Sequence, residues 1–351
     1  MYLRREAEVC KPDLSIVIVT HNAFHLVTAC VTSILEHTHE ITYEIIVVDN
    51  GSTDGSLERF RQAFPHIRLI ANPSNDGYGA GCNLGMAEAR GRYIAVLNDD
   101  IEVRDESFAR LVRFLDLHRD VGVVAPKLLN PDGSLQPSVF RFPSVFANVV
   151  RQIVPGRLLQ LSYVLALLNW LARRFRWNLG RLDKNIGSKE IECPMGAAFV
   201  VRRDVVEQVG GFDSDGFFLF CEEADWFIRI HRANWKIWYL ADTGLVHHGS
   251  QTVSKLRHRY YIQQYKSFLH FYEKNFGSRT VFLYKASLTA VFMMKATFYW
   301  ISAMMPWGNR LERLRHCETY RTIIKLFYDP VTRSRNIVHE MQFKYIEPPP
   351  A

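Results

Sequence analysis

The chain has little cysteine chemistry to offer: its six cysteines, Cys10, Cys30, Cys82, Cys193, Cys221 and Cys317, are scattered and form no C-x-x-C pair. They indicate neither a zinc site nor a disulfide framework, and a reducing cytoplasm is the simplest home for them. The first markedly apolar, charge-free run falls short of the roughly 20 residues of a spanning helix. Residues 158–172 are charge-free for fifteen positions, and the apolar, aromatic stretch 280–307 is interrupted by Lys285 and Lys295. The amino terminus, Met1-Tyr-Leu-Arg-Arg-Glu-Ala-Glu8, lacks the apolar core of a signal peptide, so the catalytic part is expected to stay cytoplasmic. Neither G-x-G-x-x-G nor a Walker lysine pattern can be read, internal repeats are absent, and low complexity is confined to Pro348-Pro-Pro350.

What is present is a globular composition, 48% hydrophobic and 23% charged over 351 residues, which allows one large domain or two ordinary ones. A formal charge of +7 calls for an anionic partner: a nucleotide, an acidic membrane surface or nucleic acid. Nucleic acid fits least, because the basic residues gather beside apolar runs rather than on a recognition element. Arg173, Arg174, Arg176 and Arg181 follow the first apolar run, and basic residues beside Trp-rich apolar stretches suit helices lying in a membrane interface. Buried helices or a contact between two copies of the chain are the alternative.

From Ser15 onward the pattern alternates. Ser15-Ile-Val-Ile-Val19, Tyr43-Glu-Ile-Ile-Val-Val48, His66-Ile-Arg-Leu-Ile70 and Tyr93-Ile-Ala-Val-Leu97 read as strands, with helices expected over 23–36, 56–63 and 83–89. Four strands with three crossovers predict a doubly wound, parallel nucleotide-binding half. Further on, a helix over 107–118, strands at 121–124, 195–201 and 236–240, and helices over 204–209 and 222–233 are expected. Between them, residues 137–184 look like an insertion over the sheet.

Six constellations carry chemistry. Asn98-Asp99-Asp100 ends a buried strand, where carboxylates cannot serve a core but can hold a divalent cation and, through it, phosphate. Asp49, Asn50, Gly51 and Ser52 end another strand in a small-residue turn suited to a base or ribose, although Asp49 could equally cap the next element. Thr20-His21-Asn22 ends the first strand, with Asn22 also fitting a helix N-cap. The glycine-rich stretch from Asn75 through Gly77 to Asn83 reads as a loop whose N–H groups can approach phosphate. Glu222-Glu-Ala-Asp225 opens a helix and offers a general base, while Trp226, Phe227 and Ile230 form its core stripe and Arg229 and Arg232 face outward. In Val246-His-His-Gly249, a loop, one imidazole can complete a metal site.

In this order, across roughly residues 13–250, these pieces resemble the family 2 inverting glycosyltransferases of the GT-A fold, and more narrowly their rhamnosyltransferase-like branch. Gly196-Ala-Ala198 and Gly210-Gly-Phe-Asp213 add to the likeness. The resemblance implies an α/β GT-A fold: a Rossmann-like, mostly parallel sheet with helices on both faces, after an extension at 1–12. A domain at 13–250, with an apolar-basic insertion at about 144–184, would be followed by a helical, membrane-associating region at 251–351. It implies that Asp49 reads the base beside Thr20 and Asn22, with Asn50, Ser52, Gly77, Asn83, Asn98 and Asp99 also on the nucleotide. Asp100 and His247 would hold Mg²⁺ or Mn²⁺. Glu223 stands where the family has its catalytic Asp, one methylene longer, with Asp225 in reserve.

The activity so implied is single-displacement transfer of a sugar, L-rhamnose from dTDP-rhamnose being the best guess, to a lipid-linked or cell-envelope glycan. The protein would be peripheral on the inner face of the cell membrane. The rivals are a hexosyl- or galactofuranosyltransferase of the same fold and a nucleotide-binding assembly protein without turnover.

Overall fold

The computed structural model describes residues 11–154, 187–249, 257–306 and 308–334. The elements run β1 (Leu14–Thr20), α1 (Phe24–His37), β2 (Tyr43–Asn50), α2 (Ser56–Ala63), β3 (Arg68–Asn72), α3 (Tyr78–Glu88), β4 (Tyr93–Asn98) and β5 (Ile101–Val103). They continue through α4 (Ser107–Leu117), β6 (Val121–Leu129), β7 (Leu135–Gln136), β8 (Val139–Phe140), α5 (Val145–Ile153), β9 (Lys189–Glu190), β10 (Cys193–Pro194), β11 (Ala198–Arg202) and α6 (Arg203–Val209). Last come α7 (Glu222–Arg232), β12 (Lys236–His247), α8 (Arg257–Asn275), α9 (Ser278–Ser302), α10 (Arg310–Tyr328) and α11 (Pro330–Ser334). Two compact units result: Met1–Val139, Leu182–Ser214 and Trp226–Gly249 form the first, and Phe140–Arg181, Asp215–Asp225 and Ser250–Ala351 the second.

The first unit is built on a sheet of order β3-β2-β1-β4-β11-β6-β12-β5. The first four strands are mutually parallel, as the alternation of apolar runs and helices predicts. β11 enters antiparallel between β4 and β6, and β12 runs parallel to β6. β1 is buried along its whole length because both faces are covered. Its even-numbered residues, Ile16 and Ile18, join a core with Val27, Val31 and Ile34 of α1 and Leu111 and Leu115 of α4. Its odd-numbered residues take the other face.

On that other face α3 corrects the expectation of a glycine loop. The helix begins at Tyr78 rather than near Asn83, and its glycines let it lie against β1. A Cβ at Gly85 would fall 2.2 Å from Val17 Cγ1, and one at Gly81 would fall 2.6 Å from Val19 Cγ1. Gly77, at φ +96°, is the turn into the helix.

Two further expectations change. The strand expected at 236–240 continues to His247 through an irregularity between Leu240 and Leu245, so His247 stands on a strand end rather than in a loop. In α7, Trp226, Phe227 and Ile230 are fully buried as expected. Arg229 does not face outward: its guanidinium donates to the Val209 carbonyl at 2.9 Å and the Gly211 carbonyl at 2.7 Å, closing the end of α6.

The second unit is helical among its described residues apart from short connecting pieces. Tyr272, Tyr284, Leu288, Phe292, Ile323 and Phe327 are buried between α8, α9 and α10. α9 is apolar on nearly all sides. Tyr284, Leu288 and Phe292 pack inward, while Phe282, Leu283, Met293, Met294, Phe298, Trp300 and Ile301 are exposed. The two lysines that interrupt this segment turn inward: Lys285 pairs with Glu273 at 3.3 Å, and Lys295 donates to Gln152 at 2.8 Å.

Residues 158–172, most of the expected insertion and the first ten residues of the expected amino-terminal extension lie outside the described residues. Among the described residues of the expected 13–250 domain, 140–154 and Asp215–Asp225 are grouped in the second unit.

Gly85→Ala is expected to destabilise the protein by about 1–3 kcal/mol in urea unfolding, because its new methyl overpacks Val17. Gly187→Ala, at a position with nothing within 4 Å of a built Cβ, should change stability by less than about 0.5 kcal/mol.

Candidate functional site

Strand register gathers the polar residues of the first unit. Thr20 on β1 is paired with Asp49 on β2, Val19 with Asn98 on β4, and Asn50 with Asn72 on β3. Four apolar strands therefore end in polar residues along one carboxyl edge. Strand order reverses between β1 and β4, the position at which open α/β sheets bind ligands.

At this edge Thr20 Oγ1 donates to Asp99 Oδ2 at 2.7 Å, and Asp49 Oδ2 accepts from the Ser52 N–H at 3.1 Å. Asp49 Oδ1 is buried with no hydrogen-bond partner. Asn22 does not cap α1: it sits at φ +51° and its Oδ1 accepts from the Thr53 N–H at 2.8 Å, while its own N–H donates to Ser52 Oγ at 2.8 Å. Asn50 is a structural tie, donating from Nδ2 to Asn75 Oδ1 at 3.1 Å and the Gly77 carbonyl at 3.0 Å. The Gly77 N–H is bound to Asn75 Oδ1 at 3.2 Å. Asn83 is not on this edge's network: its amide bonds the Phe212 backbone in both directions, at 2.9 and 2.8 Å. It clamps α3 to the turn after α6, a job the sequence reading did not foresee. Asn98 is held through its N–H by the Ala197 carbonyl at 2.9 Å.

Asp100 and His247 meet here. β12 pairs antiparallel with β5, His247 opposite Ile101, which brings the imidazole beside the acid that precedes β5. Both side chains are nearly buried, and Asp100 Oδ1 lies 3.2 Å from His247 Nε2. Neither atom has a hydrogen-bond partner. The reason lies on the far side of the ring. Nδ1 is 2.7 Å from Gln136 Oε1, and the Gln136 amide nitrogen donates to Asn130 Oδ1 at 3.1 Å and the His247 carbonyl at 3.3 Å. With its nitrogen so committed, Gln136 presents an oxygen to Nδ1, which carries a proton, and Nε2 is left facing the carboxylate.

In the neutral form of the ring both facing atoms are acceptors, an arrangement that a positive charge between them relieves. Metal–oxygen distances of 2.0–2.1 Å give an octahedral edge of about 3.0 Å, close to the separation seen. The donor set, one carboxylate and one imidazole oriented from behind, therefore fits a divalent cation. Gln136 is the functional residue that sequence reasoning missed; the only sign of it is its place two residues after the Asn130-Pro-Asp-Gly133-Ser turn. His248, the other imidazole of the pair, instead bonds Glu102 at 3.0 Å at the surface.

Glu223 and Asp225 fall in the second unit, at the head of α7. The approach to them is strained: Phe220 and Cys221 both adopt positive φ, +70° and +67°. Asp225 cannot serve as a reserve base. It is fully buried and its two oxygens accept from Lys274 Nζ and Asn275 Nδ2, each at 2.9 Å. Glu222 is buried with Oε2 unpartnered, and its carboxyl is pushed well above the usual range by burial and by the charge of Glu223. Glu223, only partly buried, is raised by burial as well. A carboxylate whose proton affinity has been lifted toward neutrality is a competent general base.

Burial, reinforced by Asp100, lifts the Asp99 carboxyl from 3.8 to about 7 against the opposing bond from Thr20. In the unfolded chain it releases its proton near 3.8, so the folded state holds more protons across that window and stability falls as pH rises through it. In protein stripped of divalent cations, Asp99→Asn should flatten the decline in Tm between pH 4 and 7 by roughly a few degrees, read by scanning calorimetry.

Three comparisons with known proteins bear on this geometry. Residues 15–210 match the family model described as glycosyl transferase family 2. The N-acetylglucosaminyl-diphospho-decaprenol L-rhamnosyltransferase of Mycobacterium tuberculosis is 27% identical over 224 residues, covering 60% of this chain and 68% of that protein. The O-antigen biosynthesis protein RfbC of Myxococcus xanthus is 25% identical over 249 residues, 68% of this chain but 17% of that protein. Among solved structures, GalNAc-T7, crystallised with UDP, GalNAc and Mn²⁺, is similar at a TM-score of 0.53 and 15% identity, covering 92% of this chain and 57% of that one. That likeness is one of fold. With the family model covering more than half of the chain, the protein belongs to glycosyl transferase family 2 and is a glycosyltransferase with a GT-A-like fold and a helical carboxyl-terminal region.

Proposed function

We propose that the enzyme transfers L-rhamnose from dTDP-rhamnose to a hydroxyl of a lipid-linked or cell-envelope glycan, at the cytoplasmic face of a membrane. The sugar rests on the likeness to a rhamnosyltransferase. The observation that carries the lipid-linked part is the outward face of α9. Its interrupting lysines point away from that face, which leaves Phe282, Met293, Met294, Phe298, Trp300 and Ile301 as one apolar surface on a basic protein. α9 is long and apolar enough to cross a bilayer by length and composition, but a helix packed on one side and apolar on the other also suits the interface, where a polyprenyl carrier would be anchored.

In this reading Asp49 Oδ1, buried and without a partner, accepts from a pyrimidine N–H, and Thr20 holds Asp99 beside the diphosphate. Asp100 and His247 would hold Mg²⁺ or Mn²⁺, which when bound offsets charge on the departing diphosphate. Glu223 takes the proton of the acceptor hydroxyl as its oxygen bonds the anomeric carbon. The bond from that carbon to the diphosphate oxygen breaks on the opposite side, so configuration inverts. Glu222, more deeply buried and carrying the raised proton affinity, keeps its proton and leaves the charge to Glu223.

A panel of sugar nucleotides with Mn²⁺, reading released nucleoside diphosphate, tests the donor. dTDP-rhamnose should be preferred, and preference for a hexose or galactofuranose donor would overturn the assignment. Glu223→Gln should lower kcat by about 10²–10⁴-fold with donor affinity kept; full activity would remove Glu223 as the base. Asp225→Asn should instead lower Tm, since it breaks the buried pair with Lys274. Met294→Glu together with Phe298→Glu should abolish flotation with vesicles containing anionic lipid while leaving the circular dichroism spectrum unchanged.

A further inference from the structure

The second unit holds a group of side chains that the transferase reaction does not use. His258 lies in the first turn of α8, and Glu312 and His316 lie four residues apart on α10, hence on one face of that helix. One ring nitrogen from each histidine and one carboxylate oxygen lie within 4.8 Å of one another, all partly buried. Glu312 Oε1 is 3.2 Å from His258 Nε2 and 3.5 Å from His316 Nε2.

The surroundings orient each group. Thr319 Oγ1 gives its hydrogen to the Arg315 carbonyl at 2.7 Å, so toward His258 Nδ1, 2.8 Å away, it can only accept. Nδ1 is therefore the donor of that contact, and Nε2 faces Glu312 Oε1 at 3.2 Å. A hydroxyl behind the ring that fixes the tautomer is the arrangement found behind metal-ligating histidines. Tyr299 stacks on the His316 ring at 4.6 Å and fixes its plane. The other oxygen of Glu312 is taken by Arg315 at 3.3 Å, leaving Oε1 for the histidines.

The separations of 3.2 and 3.5 Å are also close to the edge of a zinc tetrahedron, about 3.3–3.4 Å for ligand bonds of 2.0–2.1 Å. Two imidazoles and a carboxylate are a zinc-type donor set, with water as the fourth ligand.

We propose that His258, Glu312 and His316 bind Zn²⁺ and that the ion staples α8 to α10. The site is separate from the Asp100–His247 pair, which belongs to the first unit. Arg315 against the carboxylate, with Arg257 and Lys295 in the vicinity, keeps affinity below that of an all-anionic site.

The test uses full-length protein carrying His247→Ala, so that the first site does not contribute, stripped with chelator and dialysed against Zn²⁺. Zinc by mass spectrometry should be close to one per chain, and Tm should rise with added Zn²⁺ but not with Mg²⁺. Adding His316→Ala or Glu312→Gln should weaken zinc binding at least tenfold and remove the shift in Tm, and His316→Cys should restore both. Should His316→Ala fail to fold, Glu312→Gln, which keeps the side-chain volume, decides the matter. Zinc content near zero in the His247→Ala protein, or zinc content indifferent to substitution at 312 and 316, would overturn the proposal.

Discussion

Asp100 Oδ1 and His247 Nε2, both buried and neither with a hydrogen-bond partner, face each other at 3.2 Å. Everything at the strand edge is arranged around that confrontation. β12 must run on to residue 247, β5 must pair with it antiparallel, and Gln136 must hold the far nitrogen of the ring. Left alone, such a pair costs stability, as any buried polar group without a partner does. A cation turns the same geometry into an attractive one, and the neighbouring Asp99, held by Thr20 and raised by burial, would become ionised in its field. In the proposed function, cost without the ion and function with it would be one property of the site.

The parallel half of the sheet and its polar edge were legible because buried strands leave a plain trace: short β-branched runs ending abruptly in Asp49, Asn98 or Thr20. Register then follows from packing, since a one-residue slip would send every side chain of a strand to the opposite layer. What was not legible depended on distant partners. Asn75 to Asn83 reads as a loop because glycine has poor helix propensity, and only the closeness of Val17 and Val19 shows why α3 needs glycine there. β12 was cut short in the reading because Ala241-Asp-Thr-Gly244 breaks the apolar run, although pairing with β5 and β6 carries the strand across it. Asp225 looked like a spare base until Lys274 and Asn275, some fifty residues away in sequence, were found on its two oxygens.

The same contrast separates the three acids of α7. Asp225 is neutralised by partners and stabilises the second unit. Glu222 is buried and Glu223 partly so, burial raises the proton affinity of both, and the strained turn at Phe220 and Cys221 leads into them. One methylene longer than the family's aspartate, Glu223 reaches farther by about a bond length, a difference large enough to matter for proton transfer. The backbone of that turn, rather than the helix itself, is the natural place for a compensating adjustment.

The central claim, that Asp100 and His247 hold the catalytic cation, is tested most directly by pulsed electron paramagnetic resonance of Mn²⁺ bound together with dTDP. To silence the second histidine cluster, the protein should carry His258→Ala and His316→Ala. The account predicts a nitrogen coupling from one imidazole that disappears when His247→Ala is added. Bound Mn²⁺ with no nitrogen coupling, or a coupling that survives His247→Ala, would contradict it.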